Sequence, residues 1–387
     1  MLKVKWVVLT TILASGISPV VAQDYPCDVY LRSAKIYLNR STPDLESAMK
    51  NLTDGYQKCY NDPVLHELLG RIYAEKNQLE KMAEEFRIAK QLGHPKPEEM
   101  NKVLESKWGQ SFQNGANTLA QADAAVTDSL RNNLYEQAAK SFEACIMIDS
   151  SRYQPYVNAA AQWISLNRAE RADTLLAKAY QLAPESLNVV LSYGINLYNL
   201  EKYDQAIQIF EKAIKIDPNN REALINLASL YGLKNDRKRS MEMWDVLIEK
   251  GMADKDVYFN RGFVFLAEAE ELVRKHQELE DSLQKNPKSA ALKAELDSLT
   301  GAKKEVLPMA HEDFKKSVEL DTADVEALYY FGYVQMLQED LDNAMKTLER
   351  VKAMNPEHKS AWARLAIIYT MRGMKDKAKE ADEKSRN

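Results

Sequence analysis

A period of 34 residues constrains this chain more than any other feature. Residues 153–186, 187–220 and 221–254 align without a gap, and 325–358 and 359–387 continue the register. The stretch 63–96 matches it earlier, 108–152 matches with 11 extra residues, and 255–324 matches with 36. A unit this short cannot bury its own apolar face, so successive units must stack and share one continuous core. The 13 glycines and 12 prolines are few for a 387-residue chain of many turns, which argues against a β-sandwich array or a glycine-rich nucleotide fold.

The eighth place of each unit is small: Gly70, Gly115, Ala160, Gly194, Ala228, Gly262, Gly332 and Ala366. The twentieth place holds Met82, Ala138, Ala172, Ala206, Ser240, Ala310, Ala344 and Ala378. Small residues at these places let two antiparallel helices approach closely. Large residues fill the crossing from the twenty-fourth place: Phe86, Phe142, Leu176, Phe210, Trp244, Phe314 and Leu348. Pro184, Pro218 and Pro356 close units at the thirty-second place, where proline ends one helix before the next begins.

This pattern resembles the tetratricopeptide repeat, and the resemblance covers nearly all of the chain after its first residues. It implies an all-α fold, a right-handed superhelical solenoid of helical hairpins that binds other proteins. The expected organisation is a degenerate terminal hairpin over 23–62, a repeat at 63–96 and a helical lead-in at 97–107. A repeat with a lengthened turn follows at 108–152, then repeats at 153–186, 187–220 and 221–254. The unit at 255–324 carries an inserted hairpin at about 270–305, followed by a repeat at 325–358 and a capping unit at 359–387. Met82, Thr118, Ser240 and Gln335 depart from the family at packing places, so their units are expected to be looser.

In the insertion, Leu272, His276, Leu279 and Leu283 follow a heptad seam, and Leu292, Leu296, Leu299, Lys303 and Val306 repeat the spacing after a turn at Asn286-Pro287-Lys288-Ser289. The two arms are expected to pair as an antiparallel coiled coil, bent at Pro308 and weakened by His276 and Lys303. This arm is either a partner-docking device or decoration.

Lys3 and Lys5 precede an apolar run from Trp6 to Ala14, and Val20-Val21-Ala22 follows a break at Ser15 to Pro19. That is the layout of a cleaved export leader, residues 1–22, too short in its apolar part to span a bilayer. The expected location is therefore periplasmic or secreted. In an oxidising compartment Cys27 and Cys59, at opposite ends of the terminal hairpin, are expected to form a disulfide. Cys145 shares a packing place with Ala89, Ala179 and Ala213 and reads as an inert buried thiol. Asn39-Arg40-Ser41 and Asn51-Leu52-Thr53 are glycosylation sequons that matter only in a eukaryotic source.

Catalytic motifs are missing. There is no phosphate-cradling glycine loop, no His-Glu-x-x-His, no Cys-x-x-Cys and no nucleophile elbow. His66, His94, His276, His311 and His358 are scattered, and a net charge of −5 argues against nucleic acid. The expectation is a non-enzymatic scaffold without metal or cofactor, whose partners are proteins.

The resemblance implies that the first helix of each unit lines the concave surface, with its second, fifth, sixth and ninth places touching ligand. Asn158, Ser192, Asn226 and Asn260 occupy four successive sixth places, a ladder able to hold an extended peptide backbone. Phe259, Phe263, Tyr329, Tyr330 and Tyr333 occupy fifth, sixth and ninth places and are expected to form a semi-exposed aromatic patch, or else to pack beneath the arm. The family's carboxylate clamp is absent, its places taken by Val157, Ala161, Leu191 and Ile195, which disfavours an acidic tail and favours an extended, partly apolar segment. The alternative is a structural or accessory subunit of an envelope, secretion or polysaccharide-processing assembly, docked through the arm.

Overall fold

The computed structural model describes residues 25–386, and all the regular structure among them is helical. The leader expected over 1–22 lies outside the described residues. The chain divides between Pro155 and Tyr156 into two compact units, each a stack of helical hairpins. The first contains α1 (Cys27–Leu38), α2 (Leu45–Cys59), α3 (Pro63–Glu75), α4 (Leu79–Gln91), α5 (Pro97–Asp123) and α6 (Asp128–Ile148). The second follows with α7 (Gln154–Ser165), α8 (Ala169–Leu182), α9 (Leu187–Asn199), α10 (Tyr203–Ile216), α11 (Arg221–Leu233) and α12 (Arg237–Glu249). It ends with α13 (Lys255–Lys285), α14 (Ala290–Leu320), α15 (Val325–Leu337), α16 (Leu341–Met354), α17 (Lys359–Met371) and α18 (Lys375–Arg386).

Local sequence sets the helix ends. Asp62, Asn220, Asp254, Asp324 and His358, each closing one segment, accept a backbone N–H of the helix that opens the next. Each such cap stabilises its helix by about 1 kcal/mol. Inside a repeat the turn is made at the fifteenth place, where Asn77, Asn167, Glu201, Asn235, Glu339 and Gly373 all have positive φ. Asparagine and glycine tolerate this conformation, whereas glutamate has no local hydrogen bond to offset it. Glu201→Gly is therefore expected to raise stability by about 1 kcal/mol, read as a higher denaturant midpoint. No change or a loss would show that Glu201 is held there by something other than the turn.

Between repeats two solutions alternate. Where proline follows, Asp217 and Asn355 end their helices in an extended conformation and Ala183 also leaves the helical region, as suits a residue preceding proline. Asp149 and Asp321 are extended in the same way without a proline, whereas Gly93 and Gly251 take positive φ instead.

The helix crossings follow the small-to-large pattern. A Cβ on Gly70 would lie 2.4 Å from the ring of Phe86, and one on Gly194 would lie 2.8 Å from that of Phe210. The four units with phenylalanine at the twenty-fourth place all have glycine at the eighth; of the three with alanine there, two face Leu176 and Trp244. The departures from the family pattern are packed and satisfied rather than loose. Met82 and Ser240 are fully buried, and the Ser240 hydroxyl donates to the Ala228 carbonyl at 2.7 Å. Gln335 is buried and accepts from Thr347 at 2.9 Å, and Thr118 is buried. Cys145 is buried as expected, and burial pushes its thiol up to about 11.

Both insertions differ from the expected arrangement in one way: their residues extend the repeat helices instead of standing apart. The lead-in at 97–107 is continuous with the first helix of its unit, giving the 27-residue α5. The extra residues around Gln121 to Asn133 lengthen α5 and α6 and leave only a short turn, because this alanine-rich stretch favours helix and Thr127 caps α6. Likewise α13 and α14 are unbroken 31-residue helices that pack against each other, with Pro308 accommodated inside α14. The seam leucines are half-buried, and His276 is accepted in it by a 3.1 Å contact between Nε2 and the Thr300 hydroxyl.

Candidate partner-binding face

The second, fifth, sixth and ninth places of a first helix are spaced i, i+3, i+4 and i+7, so they share one side of it. In the second unit this side carries Leu191 and Ile195 on α9, Ile225 on α11, and Phe259 and Phe263 on α13, all half-buried. Leu233, further along α11, is 56% exposed. Val157, on α7, is buried. The result is an apolar stripe crossing three successive repeats.

Of the expected asparagine ladder, Asn158, Ser192 and Asn226 are half-buried and Asn260 is exposed. Asn226 donates from Nδ2 to the Glu222 carbonyl, and Asn260 to the Asp256 carbonyl, each at 2.8 Å within its own helix. Each amide keeps its Oδ1 and a second proton for other contacts.

The aromatic set is brought together, but not as a semi-exposed patch. Tyr329 and Tyr333 are buried, at 6% and 8% exposure, because α15 is covered on this side by α13 and by the chain entering α17. Phe259, Phe263 and Tyr330 are half-buried; the Phe263 and Tyr330 ring centroids are 4.3 Å apart, and Tyr330 stacks on the buried Phe314 of α14. Tyr329 lies against His358 at 4.7 Å. Tyr333 donates its hydroxyl to Glu270 at 3.0 Å beneath the Arg364 guanidinium, and burial pushes that hydroxyl up to about 12. Phe259 and Phe263 thus remain partly exposed, while Tyr329 and Tyr333 are packing residues.

Fixed charges anchor the root of the arm. Arg261 on α13 donates two bonds to Asp313 on α14, at 2.8 and 2.7 Å, and a third at 2.7 Å to Asp245 on α12. Asp313 is 2% exposed, and desolvation raises its carboxyl above the ordinary value even with Arg261 against it. Two residues beyond Ala269, the last buried residue of α13, Glu271 pairs with Lys275 and with Arg237 of α12, which hold its carboxyl down to about 2. From the sequence Glu271 and Lys275 read only as part of an ordinary solvated face, and Arg261, Asp313 and Asp245, like the acidic Glu222 and Asp256, were missed. They have no motif, and only the repeat register shows that they share faces.

At the other end of the chain Cys27 and Cys59 are joined, with Cα atoms 5.2 Å apart. Cys59 is buried in the core formed by Leu31, Ala34, Leu52, Leu65 and Leu68. Among the described residues no group of three or more His, Cys, Asp or Glu is arranged to hold a metal ion, and no helix is long and apolar enough to cross a membrane.

The family profile of the tetratricopeptide repeat matches residues 197–258 and 326–358. This chain is a tetratricopeptide-repeat protein. Its repeats are similar to those of curated relatives at low identity. The TPR repeat-containing protein YpiA of Bacillus subtilis is 22% identical over 238 residues, which cover 57% of this chain and 52% of that one. The Protein O-mannosyl-transferase TMTC1 of Homo sapiens is 21% identical over 230 residues, 59% of this chain and 26% of the relative. The Protein STIP1 homolog of Dictyostelium discoideum is 33% identical over 88 residues, 23% of this chain and 16% of the relative. The chain therefore spans about half or less of each of these proteins. Among solved structures, the C-terminal part of a TPR repeat-containing protein from Cytophaga hutchinsonii is 15% identical, covers 66% of this chain and 90% of that one, and has a TM-score of 0.49.

Proposed function

We propose that this tetratricopeptide-repeat chain is a non-enzymatic scaffold that holds an extended segment of a partner protein against the first helices of its second unit. The observation that carries the reading is the apolar stripe of Leu191, Ile195, Ile225, Phe259 and Phe263, half-exposed across three repeats. Apolar surface that a folded chain leaves contiguous and open is a binding surface or a liability, and here it lies beside polar groups of the asparagine ladder. The place of action in this reading is the cell envelope, supported by the leader-like residues 1–22 and by the pairing of Cys27 with Cys59. The transferase activity in the name of TMTC1 belongs to a protein of which this chain spans 26%, and no such activity is assigned here.

The arm offers a second reading, since its root is tied to α12 through Glu271 and to α15 through Glu270. A helix pair held this firmly can present a docking surface in a fixed direction. In-cell photocrosslinking separates the two. A photoreactive side chain at Ile195 or Ser229 is expected to give partner adducts, whereas one at Thr174 or Gln208, exposed on the second helices α8 and α10, is not. Adducts arising only from arm positions such as Lys275 and Lys293 would overturn the groove in favour of the arm.

A further inference from the structure

Resting on that groove reading, we infer that the segment it takes is cationic as well as apolar, with basic residues about three apart. The basis is the charge of the face. In the four repeats that begin at 187, 221, 255 and 325, the second, fifth, sixth, ninth, twelfth and thirteenth places of the first helix contain no lysine or arginine, in a chain that has 52. The same places contain Glu222, Asp256 and Glu326, always at the second place. All three carboxylates are exposed.

Glu222 and Asp256 enter no ion pair among the described residues, although acidic side chains elsewhere are widely paired: Asp173 with Lys202, Asp254 with Arg221, Asp342 with Arg372. Glu326 lies 3.3 Å from His358. Each carboxylate is also favourable at the first turn of its helix, but that accounts for one helix at a time. It does not account for a face cleared of basic residues over four repeats. Arg364, the first cation met along this face, is occupied over Tyr333.

The geometry sets the spacing. Equivalent residues on first helices of neighbouring repeats stand about 10 Å apart, the usual distance between packed helices. An extended chain advances about 3.3 Å per residue. A lysine or arginine that meets Glu222 is thus followed, about three residues on, by one that meets Asp256. The side chains between them reach Ile225, Phe259 and Phe263. Acidic segments are repelled from the same edge, which is the converse of a carboxylate clamp.

Fluorescence anisotropy with labelled peptides of repeated Lys-Leu-Thr, Gln-Leu-Thr or Glu-Leu-Thr triplets tests this on the full chain. The lysine peptide is expected to bind most tightly and the glutamate peptide least, with the difference shrinking as salt is raised. Glu222→Gln with Asp256→Asn should weaken the lysine peptide by about three- to tenfold, the scale of two exposed charge pairs. It should leave the glutamine peptide unchanged. Asp376→Asn with Glu380→Gln, two exposed acids on α18, should leave both unchanged. Equal binding of all three peptides, or equal losses from the α18 control, overturns the charge inference. If Ile225→Asp still weakens the glutamine peptide in that case, the groove itself stands. If Ile225→Asp alters no peptide, or no peptide binds, the groove reading fails with it.

Discussion

Replacing Arg261 by methionine is expected to destabilise the second unit by about 3–5 kcal/mol, the usual loss when one partner of a buried ion pair is removed. Asp313 is 2% exposed and takes two of the three bonds that Arg261 donates, so its charge would be left in the core without a counter-ion. Asp245, the third partner, is 50% exposed and is rehydrated at little cost. The pH dependence of the variant follows from the same burial. Desolvation already raises the Asp313 carboxyl in the wild type, and Arg261 opposes that rise. Without Arg261 the folded-state value climbs further above the unfolded one. A raised value means that the folded state binds its proton more tightly, so stability is fuller at acid pH and is lost as pH rises through the folded value. Arg261→Met should therefore lose most at neutral pH and recover as pH is lowered towards the ordinary carboxylate range. Arg261→Met combined with Asp313→Leu should cost much less than the single change, because an apolar replacement of both partners leaves no buried charge. Hydrogen exchange resolved to α11–α14, with denaturant midpoints across pH, measures all three. A double variant as unstable as the single one would show that the pair matters for shape and not for charge.

The second large effect concerns the terminal hairpin. Breaking the link between Cys27 and Cys59 by a Cys59→Ser substitution is expected to cost about 3–4 kcal/mol, given the 32-residue separation. Among the described residues this hairpin packs chiefly on α3, so its stability leans more on such a staple than that of a hairpin flanked on both sides. The loss should stay local, with faster amide exchange in α1 and α2 and little change in α9–α16. Reduction of the native protein should reproduce it. Finding both thiols alkylated in unreduced material would remove the staple and its support for an oxidising location.

The repeat register carried most of the fold. Gly70 against Phe86 and Gly194 against Phe210 are legible because a crossing demands one small and one large residue, and the period shows which places cross. What the register hid is equally physical. It fixes where a unit begins, and so it separated residues 97–107 from a helix with which they are continuous. It also made the unit at 108–152 look like one with a lengthened turn, when helix-forming residues simply prolong both helices. At the candidate site, the register named the face but not its burial. Tyr329 and Tyr333 occupy ligand-facing places, yet the neighbours supplied by α13 and by His358 cover them. The Ser240 hydroxyl, by contrast, departs from the pattern without loosening its unit, since the Ala228 carbonyl is there to receive it.

The continuity of α13 has a mechanical consequence. One uninterrupted rod of 31 residues, roughly 46 Å at about 1.5 Å per residue, carries Phe259 and Phe263 near one end and the tip of the arm at the other. Arg261 and Glu271 clamp it part-way along, as a pivot clamps a beam. A load applied at the tip is therefore delivered as torque on these two rings, and a segment seated on them, as proposed, would resist the same rotation.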